Sequence, residues 1–122
     1  MDKKVIKLFN KKFNKPITCL TAYSPSIAKI LDGTVDVVLI GDSLSTTLYG
    51  MKNSRSVTLD MMKLHGLAVN KNIKKSITII DMPYKTYTNK YNAYKNCKEL
   101  LNYTKANILK LEINNNKLSI IE

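Results

Sequence analysis

The chain of 122 residues has no tryptophan, one histidine, two cysteines, three prolines and four glycines. Arginine is almost missing as well: of 20 basic residues only Arg55 is one, the rest being lysines, and with nine acids the formal net charge is +11. Each shortage excludes something. Cys19 and Cys97 lie far apart, with no CxxC spacing and no histidine near either in sequence, so zinc and redox motifs are absent and reduced thiols in a cytoplasmic protein are expected. No apolar run approaches the roughly 20 residues that cross a bilayer, and no membrane partner is expected. The amino terminus, MDKKVIKLFNKKFNK, scatters lysines among Val5, Ile6, Leu8 and Phe13 and has no continuous apolar stretch. It is read as a flexible basic lead-in over residues 1–15, not as a secretory signal or a membrane-surface helix. Specific nucleic-acid readers lean on arginine for bidentate contacts. Here the lysines spread along the whole chain beside abundant asparagine and isoleucine, a drift toward A/T-rich codons that accounts for the basicity, so no nucleic-acid partner is expected.

What is present is a 44% hydrophobic chain of one-domain size. Residues 16–23, PITCLTAY, read as a first strand, and Ser24-Pro25-Ser26 as a cap and first turn of a short helix ending at Asp32-Gly33. Residues 35–40, VDVVLI, have no polar alternation past Asp36, which marks a strand covered on both faces in a parallel sheet. A loop is expected over 41–57. A second helix opens at Thr58 and continues through Leu64, Leu67, Ala68 and Val69. A third strand is read over 76–81, a third helix over 92–105 and a fourth strand over 107–112. The last ten residues read as a polar turn and the start of another helix. This βαβαβαβ order requires a parallel sheet with right-handed crossovers, either open or part of a barrel.

The second strand ends in Asp42, the third in Asp81, and the fourth runs into Glu112. In parallel α/β folds ligands bind at the carboxyl ends of strands. Three carboxylates converging there repel one another unless a cation lies among them, and an all-oxygen set suits a hard cation such as Mg2+. Lys110, two residues before Glu112 and so on the same strand face, could neutralise an anionic substrate beside the metal. Tyr23, at the end of the first strand, is placed to line the pocket. His65 is read as structural, Met61 and Met62 as helix packing or an oligomer contact, and Tyr87, Tyr91 and Tyr94 as covering a helix.

In order and spacing, the segments ITCLTAY (17–23), VDVVLIGDSL (35–44), LYGM (48–51), VTLDMMKLHGLAV (57–69), IDMPYKTY (80–87) and KLE (110–112) resemble ketopantoate hydroxymethyltransferases. The resemblance covers residues 15 to 112. It implies a TIM-type (β/α)8 barrel, of which this chain would carry about the first four βα units, a half barrel over residues 16–122. It also implies Mg2+-dependent transfer of a hydroxymethyl group from 5,10-methylenetetrahydrofolate to 3-methyl-2-oxobutanoate, giving 2-dehydropantoate in pantothenate biosynthesis. Asp42, Asp81 and Glu112 would be metal-linked ligands, directly or through water, and Asp42, Ser43, Asp81 and Lys110 would bind the 2-oxoacid. The expected partners are the small-molecule 2-oxoacid and folate, with a homo-oligomer (the family forms decamers) or a complementary half.

The sequence departs from the family pattern in places. The general-base glutamate of the family lies downstream of Glu122, so no catalytic residue is assigned here. The alternative reading is a non-catalytic half-barrel remnant or assembly module that keeps a metal and 2-oxoacid site. The pattern GDSLGM gives way to Ser45-Thr46, where losing a glycine is expected to narrow the loop over the substrate. A DSTLPVT-like loop reads Lys52-Asn53-Ser54-Arg55-Ser56-Val57-Thr58, and Ile113-Asn114 replaces a glycine pair after Glu112.

Overall fold

A computed structural model describes residues 2–113 and residue 120. Strands β1 (Cys19–Thr21), β2 (Val37–Ile40), β3 (Ile77–Asp81) and β4 (Ile108–Lys110) form one parallel sheet in the order β1-β2-β3-β4. The helices are α1 (Lys3–Lys11), α2 (Pro25–Leu31), α3 (Leu44–Thr47), α4 (Leu59–Asn70) and α5 (Lys90–Thr104), with a 3-10 turn over Ser54–Ser56. Every link between successive strands carries a helix, as parallel neighbours require. The chain is therefore an α/β fold on a four-stranded parallel sheet.

Local chemistry sets the helix starts. The Ser24 hydroxyl accepts from the Ile27 amide ahead of a Pro25 whose fixed φ suits a first turn. Thr58 accepts from Met61 N at 3.2 Å, and Asn89 from Asn92 N at 2.9 Å. Each such cap is worth about 1 kcal/mol. Lys105, in the left-handed region at φ 61°, closes α5.

The core lies between one sheet face and the helices. Val38, Ile40 and Ile80 are fully buried against Met62, Val69 and Leu100. Gly66 makes this approach possible, because a Cβ there would sit 2.6 Å from both Ile80 Cδ1 and Thr104 Cγ2. At the lower end of the sheet the Thr78 hydroxyl donates to Asn70 Oδ1 (2.7 Å), Thr78 N to Asn107 Oδ1 (2.9 Å) and Asn70 Nδ2 to Thr104 O (3.0 Å). These bonds satisfy a hydroxyl that is otherwise sealed from water.

Several expectations need correction. The lead-in over residues 1–15 is not a flexible segment: residues 3–11 are helical, capped by Asp2, which accepts from Lys4 N at 2.9 Å. Lys11 Nζ reaches both oxygens of Asp36 (2.6 and 2.7 Å), and Val5 is buried. The first and fourth strands are shorter than read, because only Cys19–Thr21 and Ile108–Lys110 pair with a neighbour. The loop over 41–57 carries α3 and the 3-10 turn. The turn and helix start read in the last ten residues fall mainly on 114–119, 121 and 122, outside the described residues.

Candidate functional site

Parallel pairing brings the ends of β2, β3 and β4 to one rim. Ile40, Ile80 and Leu109 share one register row and Asp81 pairs with Lys110 in the next. Side chains alternate across a sheet. Since Ile80 faces α4 through Gly66, Asp81 and Lys110 project from the opposite face. Gly41 brings the next turn close. A Cβ there would lie 2.8 Å from Ser43 Oγ and 3.6 Å from Asp81 Oδ2, and the Asp42 amide donates to Asp81 Oδ2 at 3.2 Å.

Lys110 stands between two of the predicted carboxylates. Its Nζ donates to Asp81 Oδ1 and to Glu112 Oε1, both at 2.8 Å. Burial works against the ammonium, but these two charges outweigh it and raise its pKa. The same contact holds Glu112 below the usual carboxylate range. Asp42 behaves oppositely: burial, then the charge of Asp81, raise its carboxyl, with the Ser54 hydroxyl acting the other way. The rim thus has one carboxylate without a cation of its own. Among the described residues no three acidic, histidine or cysteine side chains are grouped closely enough to hold one ion together.

Asp42, Asp81, Lys110 and Glu112 line one cavity of about 280 Å3, together with Ser54, Arg55, Met82, Tyr84 and Tyr87. Neither Ser43 nor Tyr23, both expected at the pocket, is among its lining residues; they meet each other instead, with the Tyr23 hydroxyl 2.7 Å from Ser43 Oγ. His65 stands nearer this end than its helical position suggested. Its Nδ1 is 3.0 Å from Tyr23 O and its Nε2 2.8 Å from the Tyr49 hydroxyl, two contacts that tie the segment after β1, α4 and the loop after α3 together. Ser45 does not close over the cavity; it is buried within α3 and lines none of it. Tyr87 is also corrected. Half-buried, it lines the cavity and donates to Glu112 O at 3.1 Å, whereas Tyr91 and Tyr94 stand 74% and 68% exposed on α5. Sequence reasoning missed Ser54, Arg55, Met82 and Tyr84. Two signals pointed to them: Arg55 is the sole arginine, and residues 82–87 follow directly on a strand end.

Comparison with known proteins identifies a family. A family model described as ketopantoate hydroxymethyltransferase matches residues 3–122. A 3-methyl-2-oxobutanoate hydroxymethyltransferase of Pelagibacter ubique is 42% identical over 122 residues, 100% of this chain and 48% of that protein. Proteins of the same name from Anaplasma marginale and Aliarcobacter butzleri are 44% identical over 108 residues and 41% over 118, covering 88% and 97% of this chain and 39% and 44% of theirs. The chain therefore spans less than half the length of these relatives.

Proposed function

The chain belongs to the ketopantoate hydroxymethyltransferase family, and from that premise we propose that its rim of strand ends binds 3-methyl-2-oxobutanoate for hydroxymethyl transfer from 5,10-methylenetetrahydrofolate, giving 2-dehydropantoate. The observation that carries this reading is the convergence of Asp42, Asp81, Lys110 and Glu112 on one small cavity at the carboxyl ends of three adjacent parallel strands. In α/β folds, that is where ligands bind.

The residues fit Mg2+. Asp42 is a carboxylate with a raised pKa beside a second carboxylate, which is an arrangement short of positive charge. Mg2+ is commonly held by one or two carboxylates while keeping several waters. Asp42 and Asp81 would hold it, Asp81 sharing its carboxylate with Lys110, with the largely exposed Glu112 linked through water. Bound there, the ion supplies Lewis-acid polarisation of the keto oxygen, which acidifies the neighbouring C–H. The protein's own groups do the rest. Lys110, held in its charged form by two carboxylates, would face the substrate carboxylate. We further assign the four βα units to the first part of a (β/α)8 barrel.

Titration calorimetry of 3-methyl-2-oxobutanoate into the chain tests this, with Mg2+ and with EDTA, alongside the transfer assay. Binding is expected only with Mg2+, and Asp42→Ala is expected to weaken it at least about tenfold, the loss of one charge-assisted contact. Equal binding in EDTA would sink the metal-chelate reading.

A further inference from the structure

The cavity is charged differently at its two ends. Its floor holds Asp42 and Asp81, and Lys110 joins Asp81 to the Glu112 carboxylate, which is 77% exposed, so that its ammonium is already engaged by two carboxylates. Its mouth carries the opposite sign. The Arg55 guanidinium lies 5.6 Å from the centre of the Tyr84 ring, and the Lys85 ammonium is also 5.6 Å from that ring. Neither cation is among the groups that meet a carboxylate within ion-pair distance among the described residues. Both are exposed.

Two further features set these residues apart from a merely solvated basic surface. Arg55 is the only arginine in a chain that fills its other 19 basic positions with lysine, and its planar fork suits bidentate recognition of carboxylates in a way an ammonium does not. Lys85 holds a left-handed backbone at φ 64°, inside the turn in which Thr86 N donates to Pro83 O at 3.2 Å. Non-glycine residues seldom adopt that conformation, and it is retained here directly after a strand end that lines the cavity. The 3-10 turn gives Arg55 its position: Ser54 faces Asp42 inside, and the next residue reaches the rim.

We propose that Arg55 and Lys85, the two cations beside the Tyr84 ring, form a clamp for a carboxylate at the outer end of a ligand whose inner end lies on the acidic floor. The inference rests on the ligand-binding reading of that floor and adds a specificity determinant to it. Two sources supply such a carboxylate: the glutamate tail of a reduced folate, or the distal carboxylate of a 2-oxo dicarboxylic acid. A ligand lacking an outer anion gains nothing from the clamp.

The test compares matched probes on the full 122-residue chain by titration calorimetry in Mg2+. 5-Formyltetrahydrofolate is set against tail-less 6-methyltetrahydropterin, and 2-oxoglutarate against 3-methyl-2-oxobutanoate. The clamp predicts that at least one carboxylate-bearing probe binds about 10-fold or more tightly than its partner. It also predicts that the double substitution Arg55→Leu, Lys85→Asn removes that advantage without changing the partner's affinity, and that Arg55→Lys restores only part of it to Arg55→Leu. Which pair responds identifies the source. Both substituted side chains are exposed, so circular dichroism should show an unchanged fold. No advantage for either carboxylate-bearing probe, or an advantage that survives the double substitution, overturns the clamp. Failure of 3-methyl-2-oxobutanoate alone to bind would overturn the floor reading and leave the comparison of the two pterins standing.

Discussion

At Asp42 burial and the charge of Asp81 push in one direction, toward the protonated acid, while Lys110 stands committed to Asp81 and Glu112. A raised carboxyl disfavours the charged form in the fold, so a bound cation must compete with a proton there. Mg2+ affinity is therefore expected to fall as the pH drops from neutral toward that raised pKa, earlier than it would for an ordinary aspartate. Ion binding should release protons, detectable calorimetrically in buffers of different ionisation enthalpy. Asp42→Asn should weaken binding and flatten this dependence. A pH-independent affinity would place the ion elsewhere. The sequence makes the three strand-end acids legible, because a strand's last residues announce the rim. It does not show that Lys110 takes two of them, since that depends on cross-strand register, nor that Tyr87 turns inward while Tyr91 and Tyr94 turn out.

Among the elements, α1 is the one that hydropathy concealed. Lysines at 3, 4, 7, 11 and 12 dilute the apolar spacing of Val5 and Leu8, and a charged amino terminus then reads as unstructured. What fixes the helix is long-range: Lys11 reaches Asp36, and Lys4 Nζ donates to Lys74 O at 2.5 Å. The Lys11 contact, with Thr18 N and its hydroxyl both at 2.9 Å, holds Asp36 down from 3.8 to about 2. A depressed carboxyl contributes stability that is present above its unfolded pKa and lost as pH falls through the folded value. The pair is partly solvated, with the side chains 35% and 20% exposed, so the contribution is about 1 kcal/mol. Asp36→Asn is expected to lower stability by that amount at neutral pH and to remove an acid-unfolding step between about pH 4 and pH 2. Urea titrations across that range check both. The longer helices and strands were legible from period and caps. The four-residue α3 and the 3-10 turn were not, because so few residues carry no period.

The state of the whole molecule depends on what a parallel sheet needs. Such sheets are ordinarily covered on both faces, with every edge paired or protected. Here α4 and the core cover one face, whereas Leu39, Ile79 and Ile108, in one register row on the other, are only half-buried. The β1 edge is exposed throughout, Leu20 at 54%, and Phe9 and Phe13 of the amino-terminal region stand 52% and 77% exposed. Apolar surface of this kind drives association. Charge decides with what. Two copies at +11 repel one another over a Debye length of about 10 Å at 0.1 M salt and only about 3 Å at 1 M. If a second copy covers the face, self-association should strengthen as salt is raised, and light scattering after size exclusion should show the dimer or larger species growing. An acidic complementary half predicts the reverse, with the complex loosening in salt. A monomer at every salt concentration, unfolding in one sharp transition, would mean that four strands and their helices are sufficient alone and that the uncovered face has no partner.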